Sequence, residues 1–230
     1  MITEHRAAVQ WFRGEDAKLV VAIYVVRTYG PQFHAGLYHR DHSDPSVLHF
    51  AWDRELRNDA PDDVCEGHDY GLVALALDED DARTICALCR QVARKHSATF
   101  RFRFAEWQPR FDLSSAAMVP PAIDERYGFT CATFVLAMLR SALLEELLAL
   151  DQWPIPTPGD ADDRWQKKLA RLLCPTETPP EDVASVLAGI GARRVHPTDV
   201  AGGAMQSCEC WPVSFVDSRR EGGQIAKCLQ

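Results

Sequence analysis

The chain has 230 residues, 47% of them hydrophobic, with a formal net charge of −8, so it can bury a substantial core without a disulfide or a structural metal. The acidic balance argues against nucleic acid or an anionic membrane as the principal partner. No stretch approaches the roughly 18 uninterrupted apolar residues of a membrane span, and Met1-Ile2-Thr3-Glu4-His5-Arg6 lacks the apolar region of a signal peptide. The expectation is a cytoplasmic protein, with signal-less export left open.

In chain order, Trp11-Phe12 reads as part of a short docking helix or an edge. The run from Leu19 to Val26 then predicts a buried strand beginning near Lys18. Strands follow at Phe33 to His39, Ser46 to Trp52 and Tyr70 to Leu77, with an acidic loop from Asn58 to Asp69. Glu79 to Lys95 reads as a helix with acidic residues in its first turn, and Ala98 to Phe104 as a fifth, extended stretch. From Cys131 a helix carries Phe134, Val135, Met138, Leu139, Ala142 and Leu143 at helical spacing, so its apolar stripe packs on the sheet. Pro154, Pro156, Pro158 and Gly159 end that unit. Beyond them Ala161 to Leu173, Pro180 to Ile190 and Pro197 to Met205 predict three short helices. The division is therefore residues 1–150 as a core and residues 151–230 as a Pro-rich linker and helical extension packing on it. That extension either covers one side of the site or only packs.

Chemistry concentrates in Gly128-Phe129-Thr130-Cys131-Ala132-Thr133-Phe134-Val135, which puts a cysteine in the first turn of a helix. Unpaired N–H groups and the positive end of the helix dipole stabilise a thiolate there and lower its pKa. Thr130 is a cap; Cys131 is then the first helical residue, and its N–H shares the space where an oxyanion would form. A cysteine in such a place is by itself more often a packed small hydrophobe.

Two histidines raise the stakes. Alternation puts His34, Gly36 and Tyr38 on one face, and Val47, His49 and Ala51 on one face of the next strand. Symmetric pairing about Arg40 to Pro45 sets Gly36 opposite His49 and Ala51 opposite His34. The two histidines become diagonal neighbours roughly 7 Å apart, close enough for their rings to hydrogen-bond, and a one-residue slip would separate them. His39, His42, His68, His96 and His196 have no such context and read as surface or structural residues. Arg101, Arg103, Arg110 and Arg193-Arg194 read as solvated surface.

With these residues assembled, the chain from Lys18 to Leu150 resembles the circularly permuted branch of the NlpC-type papain-like cysteine hydrolases, which includes the lecithin:retinol acyltransferase family. The matching motifs are His34-Ala35-Gly36-Leu37-Tyr38, Leu48-His49-Phe50 and Thr130-Cys131-Ala132-Thr133-Phe134-Val135, in that order. The resemblance implies an α+β fold, with an antiparallel sheet packed against the nucleophile-bearing helix. It also implies a Cys131-His34-His49 site in which His34 is the base and His49 orients it. The implied activity is that of a cysteine peptidase or amidase working through an acyl-enzyme on a peptide or amide substrate. Acyl transfer or thioester cleavage at the same site, and a silent interaction module, are the alternatives.

No cofactor is expected. Cys86-Ala87-Leu88-Cys89 and Cys208-Glu209-Cys210 are the two thiol pairs that spacing offers to zinc, but the first lies in mid-helix between apolar residues and reads as core. The sequence does not fix the oligomeric state.

Overall fold

Alternating and continuous apolar runs build a sheet, and most of the helices pack on one of its faces. In the computed structural model, residues 9–10, 19–28, 32–41, 44–65, 68, 70–96, 100–104, 109–119, 128–174 and 180–229 are described. The strands are β1 (Val9–Gln10), β2 (Leu19–Arg27), β3 (Phe33–Asp41), β4 (Ser46–Trp52) and β5 (Glu55–Asp59). After α1 (Pro61–Cys65) comes β6 (Tyr70–Ala74), and the antiparallel sheet runs β1-β6-β2-β3-β4-β5. The remaining elements are α2 (Glu79–Lys95), the hairpin of β7 (Arg110–Phe111) and β8 (Met118–Val119), and α3 (Cys131–Leu143). They continue with α4 (Ala161–Leu173), α5 (Pro180–Ala188), α6 (Pro197–Ala204) and α7 (Phe215–Cys228). The architecture is α+β.

Ile23, Val25, Ala35, Leu37, Leu48 and Phe50 face the helices, where they meet Ile85, Cys86, Leu88, Cys89 and Val92 of α2 and Phe134, Val135 and Met138 of α3. Leu, Ile and Phe side chains fully buried this way contribute about 1.5–3 kcal/mol each. The opposite face carries a smaller apolar group, Ala22, Tyr24, Val26, Tyr38, Val47 and Leu72. Helix α2 starts on Asp78, whose side chain accepts from the Asp81 N–H at 2.9 Å. Trp153, Leu169, Val200, Ala201 and Ile225, all beyond residue 150, belong to the same apolar cluster as the strands. Helix α6 packs on β2, β3 and α3 and lies along α7.

Several expectations change. Trp11, Phe12 and Lys18 lie outside the described residues, while Val9–Gln10 forms an edge of the sheet against Leu72 and Val73. The strand from Tyr70 stops at Ala74 because the Leu77 N–H turns back to the Leu75 carbonyl just before the α2 cap. Phe100 to Phe104 is no strand. Its backbone is taken up piecemeal: the Phe102 N–H donates to Asp53 Oδ1 at 2.7 Å, the Phe100 carbonyl accepts from Arg54, and Arg101 and Arg103 exchange bonds with Phe129. The predicted loop from Asn58 begins inside β5, because Asp53-Arg54 makes a tight turn with Arg54 at φ 58° and sends Glu55–Asp59 back along β4. The β7–β8 hairpin and α7 were not anticipated.

Candidate active site

Helix α3 begins on a reciprocal cap. Thr130 Oγ1 accepts from the Thr133 N–H at 3.2 Å, and the Thr130 N–H donates to Thr133 Oγ1 at 2.8 Å. Such caps are worth about 1 kcal/mol. They leave Cys131 as the first helical residue, with Ala132, Phe134 and Val135 buried behind it. The parallel bridge of Phe129 to Phe102 and the stacking of Phe129 on Phe111 fix the approach to the cap.

The histidine strands pair in the register that symmetry about the turn gives. Leu37 is opposite Leu48, Tyr38 opposite Val47 and His39 opposite Ser46. Carried on, that register sets Gly36 beside His49. A Cβ on Gly36 would lie 2.6 Å from Val47 Cγ1 and 2.9 Å from His49 Cβ, so only glycine allows this approach. The ladder between β3 and β4 ends at Leu37, whereas β3 stays paired with β2 back to Phe33. The Ala35 N–H is among the groups near enough to the Cys131 sulfur to favour its thiolate, with those of Ala132 and Cys131 itself. Cys131 thus lies beside the histidine strand, just beyond the last β3–β4 pair at Leu37.

His34 Nε2 and His49 Nδ1 are 2.8 Å apart, and the two rings meet edge to face. His49 Nε2 in turn lies 3.2 Å from Asp59 Oδ2. Both links are diagonal: His49 is paired with Arg57, two residues from Asp59 on β5. The chain of partners fixes the tautomers. A carboxylate only accepts, so His49 carries its proton on Nε2 and presents a bare Nδ1. His34 must then donate from Nε2, which leaves the lone pair on its Nδ1.

Burial dominates the electrostatics. It lowers the His34 pKa from 6.5 to about 3, helped by the neighbouring His49, so the imidazole is neutral. His49 is also pushed down by burial, with Asp59 pulling the other way. For Cys131 the sequence expectation is corrected: its pKa is raised, because burial of the sulfur outweighs the N–H groups of Ala35, Ala132 and Cys131 and the charge of Arg194. The resting pair is a neutral thiol and a neutral imidazole.

Cys131 and His34 line one cavity of about 260 Å³, walled by Phe33, Phe50, Trp52 and Phe102 on the core side. The other wall comes from the extension: Trp165 and Leu169 of α4, and Arg194 to Pro197 before and at the start of α6. Arg193-Arg194 is therefore not solvated surface. Arg193 Nε donates to the Trp153 carbonyl at 3.0 Å, and the Arg194 guanidinium lies 3.6 Å from the Trp165 ring centroid with Nη1 on Asp162 Oδ1 at 2.7 Å. His196, read as surface or structural, also lines the cavity, 3.3 Å from Asp162. The other described histidines read that way behave differently: His39 bonds Asn58 and His96 bonds the Ala116 carbonyl, while His68 is exposed.

Asp59, Trp165, Arg194 and His196 are the site residues that sequence reasoning missed. The signal for Asp59 was the turn at Asp53-Arg54, which returns a strand past His49; with Leu56 alone apolar in Glu55–Asp59, hydrophobic alternation could not show it.

The thiol pairs stand apart from this site. Cys86 and Cys89 are buried inside α2, with the Cys86 thiol pushed up to about 11, and Cys208 and Cys210 are exposed on a short 3-10 turn. Among the described residues no group of three or more His, Cys, Asp or Glu is placed to hold a metal ion, and no helix is long and apolar enough to cross a membrane. No protein-family model, curated protein or solved structure matches the chain.

Proposed function

We propose that the chain is a cysteine-dependent hydrolase of peptide or amide bonds, built as a permuted NlpC-like, papain-like unit with Cys131 as nucleophile. The observation that carries this reading is the Asp59–His49–His34 hydrogen-bond chain, which ends at a cavity shared with a capped, helix-start cysteine. A ring pair held in one tautomer by a carboxylate is the arrangement a general base requires, whereas packing alone gives no reason for it.

Because thiol and imidazole rest neutral, the proton moves during attack. His34 Nδ1 takes it as sulfur bonds to the carbonyl carbon, and His49 and Asp59 hold the imidazolium that forms. The tetrahedral oxyanion is met by the Cys131 N–H. Collapse breaks the C–N bond, His34 returns the proton to the leaving amine, and an acyl-enzyme remains. Water, deprotonated by His34, then releases the acid and restores the thiol.

The apolar walls at Phe33, Phe50, Trp52, Phe102 and Leu169 favour one further reading, a thioesterase or acyltransferase that seats an acyl group there. A screen of peptides, N-acyl amides, thioesters and acyl esters against the wild type and Cys131→Ala separates the two. Turnover of amides, abolished in a folded Cys131→Ala protein, is expected. Turnover of acyl esters and thioesters alone moves the assignment to acyl chemistry. Turnover surviving Cys131→Ala removes the nucleophile, and a wild type inert to every class leaves an interaction module.

A further inference from the structure

The extension places one cation in the wall of the cavity, and its setting is built. Arg194 stacks on Trp165, and its Nη1 is held by Asp162 at 2.7 Å. Its side chain is only 15% exposed. A guanidinium over an indole ring keeps its N–H groups at its own edge, where they recognise a carboxylate by paired hydrogen bonds. Asp162 occupies one nitrogen of a group with five N–H donors. The rest of the cavity lining from the extension is apolar apart from His196. The same charge reaches the thiol, since Arg194 is among the groups that hold the Cys131 pKa down.

We propose that Arg194 is a specificity residue that binds a carboxylate on the acyl side of the substrate, so that the favoured substrates are acids with an apolar body rather than their neutral amides. This rests on Cys131 being the nucleophile. It gives the extension a chemical role, in which the core supplies thiol and base while residues beyond 150 select the acyl group. Asp162 already offsets the cost of burying that charge, and a substrate carboxylate binds the N–H donors that Asp162 does not use.

The test needs no known substrate, because thiol alkylation can be run with matched acid and amide probes. Iodoacetate against iodoacetamide, and iodoacetylglycine against iodoacetylglycinamide, put the carboxylate at two distances from the reacting carbon. In each case an S–C bond forms, iodide leaves and the thiol proton passes to base. Rates at Cys131 are read by peptide mass spectrometry at pH 8, in the folded protein and in urea, so that the unfolded thiol is its own reference.

The expected result is an acid-to-amide rate ratio at least about fivefold higher folded than unfolded for one of the pairs. In Arg194→Met the ratio should fall to the unfolded value, and in Arg194→Lys it should be partly kept. The ratio cancels any change in thiolate fraction that losing the charge brings. Equal ratios in the folded and unfolded wild type would overturn the proposal without reference to any variant, as would a preference that survives in a folded Arg194→Met protein. Labelling of Cys131 by the amides with no acid preference overturns the carboxylate site and leaves the nucleophile standing. No labelling of Cys131 by any probe overturns both.

Discussion

At the scale of single residues, the site is a sequence of hydrogen bonds in which each member decides the state of the next. Asp59 accepts, His49 must donate to it and accept from His34, and His34 keeps a lone pair on Nδ1. The roles are therefore unequal. His34→Ala removes the base and should cost about 10²–10⁴-fold in the rate of the acylation step, close to the effect of losing Cys131, since members of one catalytic unit are non-additive. His49→Gln keeps a side chain able to accept from His34 and should retain measurable activity, with His49→Ala falling between it and His34→Ala. Asp59→Ala should lose about tenfold. Asp59→Asn is the sharper variant, because its amide can donate to His49 Nε2, reverse both tautomers and place a proton on His34 Nδ1. Ring ¹⁵N shifts of His34 report this directly: protonation on Nε2 in the wild type, and movement toward the Nδ1–H form in Asp59→Asn. Unchanged shifts in both Asp59 variants would reduce Asp59 to a packing role.

At the scale of elements, the decisive feature is the close approach of two strands at a glycine. Gly36 lets β3 press on β4 at Val47 and His49, and just past it Ala35 lies beside Cys131 at the start of α3. Replacing a strand glycine with alanine ordinarily adds up to about 1 kcal/mol of stability. Here the new Cβ meets Val47 Cγ1 and His49 Cβ inside contact distance, so Gly36→Ala should instead destabilise by about 1–3 kcal/mol and push His49 off His34. Thermal melts, with the rate of Cys131 alkylation beside them, test both halves; a Gly36→Ala protein with a raised melting point and an unchanged rate would rule out the close approach as the feature that sets the histidine pair.

These elements differ in how well the sequence shows them. The helices Glu79–Lys95 and Ala161–Leu173 match their predicted bounds, since acidic residues open the first and the Pro-Gly stretch precedes the second, and in the structure Asp78 and Asp160 cap them. The register of His34 and His49 was legible because alternation and a turn leave one pairing that keeps both faces consistent. Glu55–Asp59 was not, since an edge strand with one apolar residue draws its pairing from its partner. The Phe100–Phe104 segment misled for the opposite reason, as its alternating phenylalanines fill the core without a ladder.

At the scale of the whole molecule, the two parts of the chain share one interior, and its titratable groups make stability depend on pH from both sides. Trp153, Leu169, Val200, Val213 and Ile225 are buried in the same cluster as Ile23 and Leu37, so Arg194 and Trp165 are carried to the cavity by packing on the sheet. Cysteines were easy to find and Arg194 was not, because a cation in a loop between helices has no sequence signature until that packing brings it to the thiol. The same burial lowers the pKa of His34, His39, His49 and His96 from the ordinary 6.5, His34 to about 3. A depressed histidine binds its proton only after the unfolded chain has done so. The unfolded state thus holds more protons as pH falls below 6.5, and stability is lost in that direction. On the alkaline side burial raises the Cys86, Cys89 and Cys131 thiols above the ordinary 9.0, so the unfolded chain ionises first and stability is lost as pH rises past that value. Carboxylates held low, such as Asp162 at about 2 beside His196 and Arg194, add to the acid limb only below their ordinary 3.8. The melting temperature should therefore hold a plateau between about pH 6.5 and 9 and fall on either side. Across pH 4 to 5.5, where the unfolded His34 is protonated and the folded one is not, that residue alone should account for about 1.4 kcal/mol per pH unit. His34→Gln should flatten the acid limb by that amount and leave the alkaline limb unchanged. A wild-type limb that begins only below pH 4.5, or one that His34→Gln does not alter, would mean that His34 is charged in the folded protein, and the neutral thiol–imidazole resting state would fall with it.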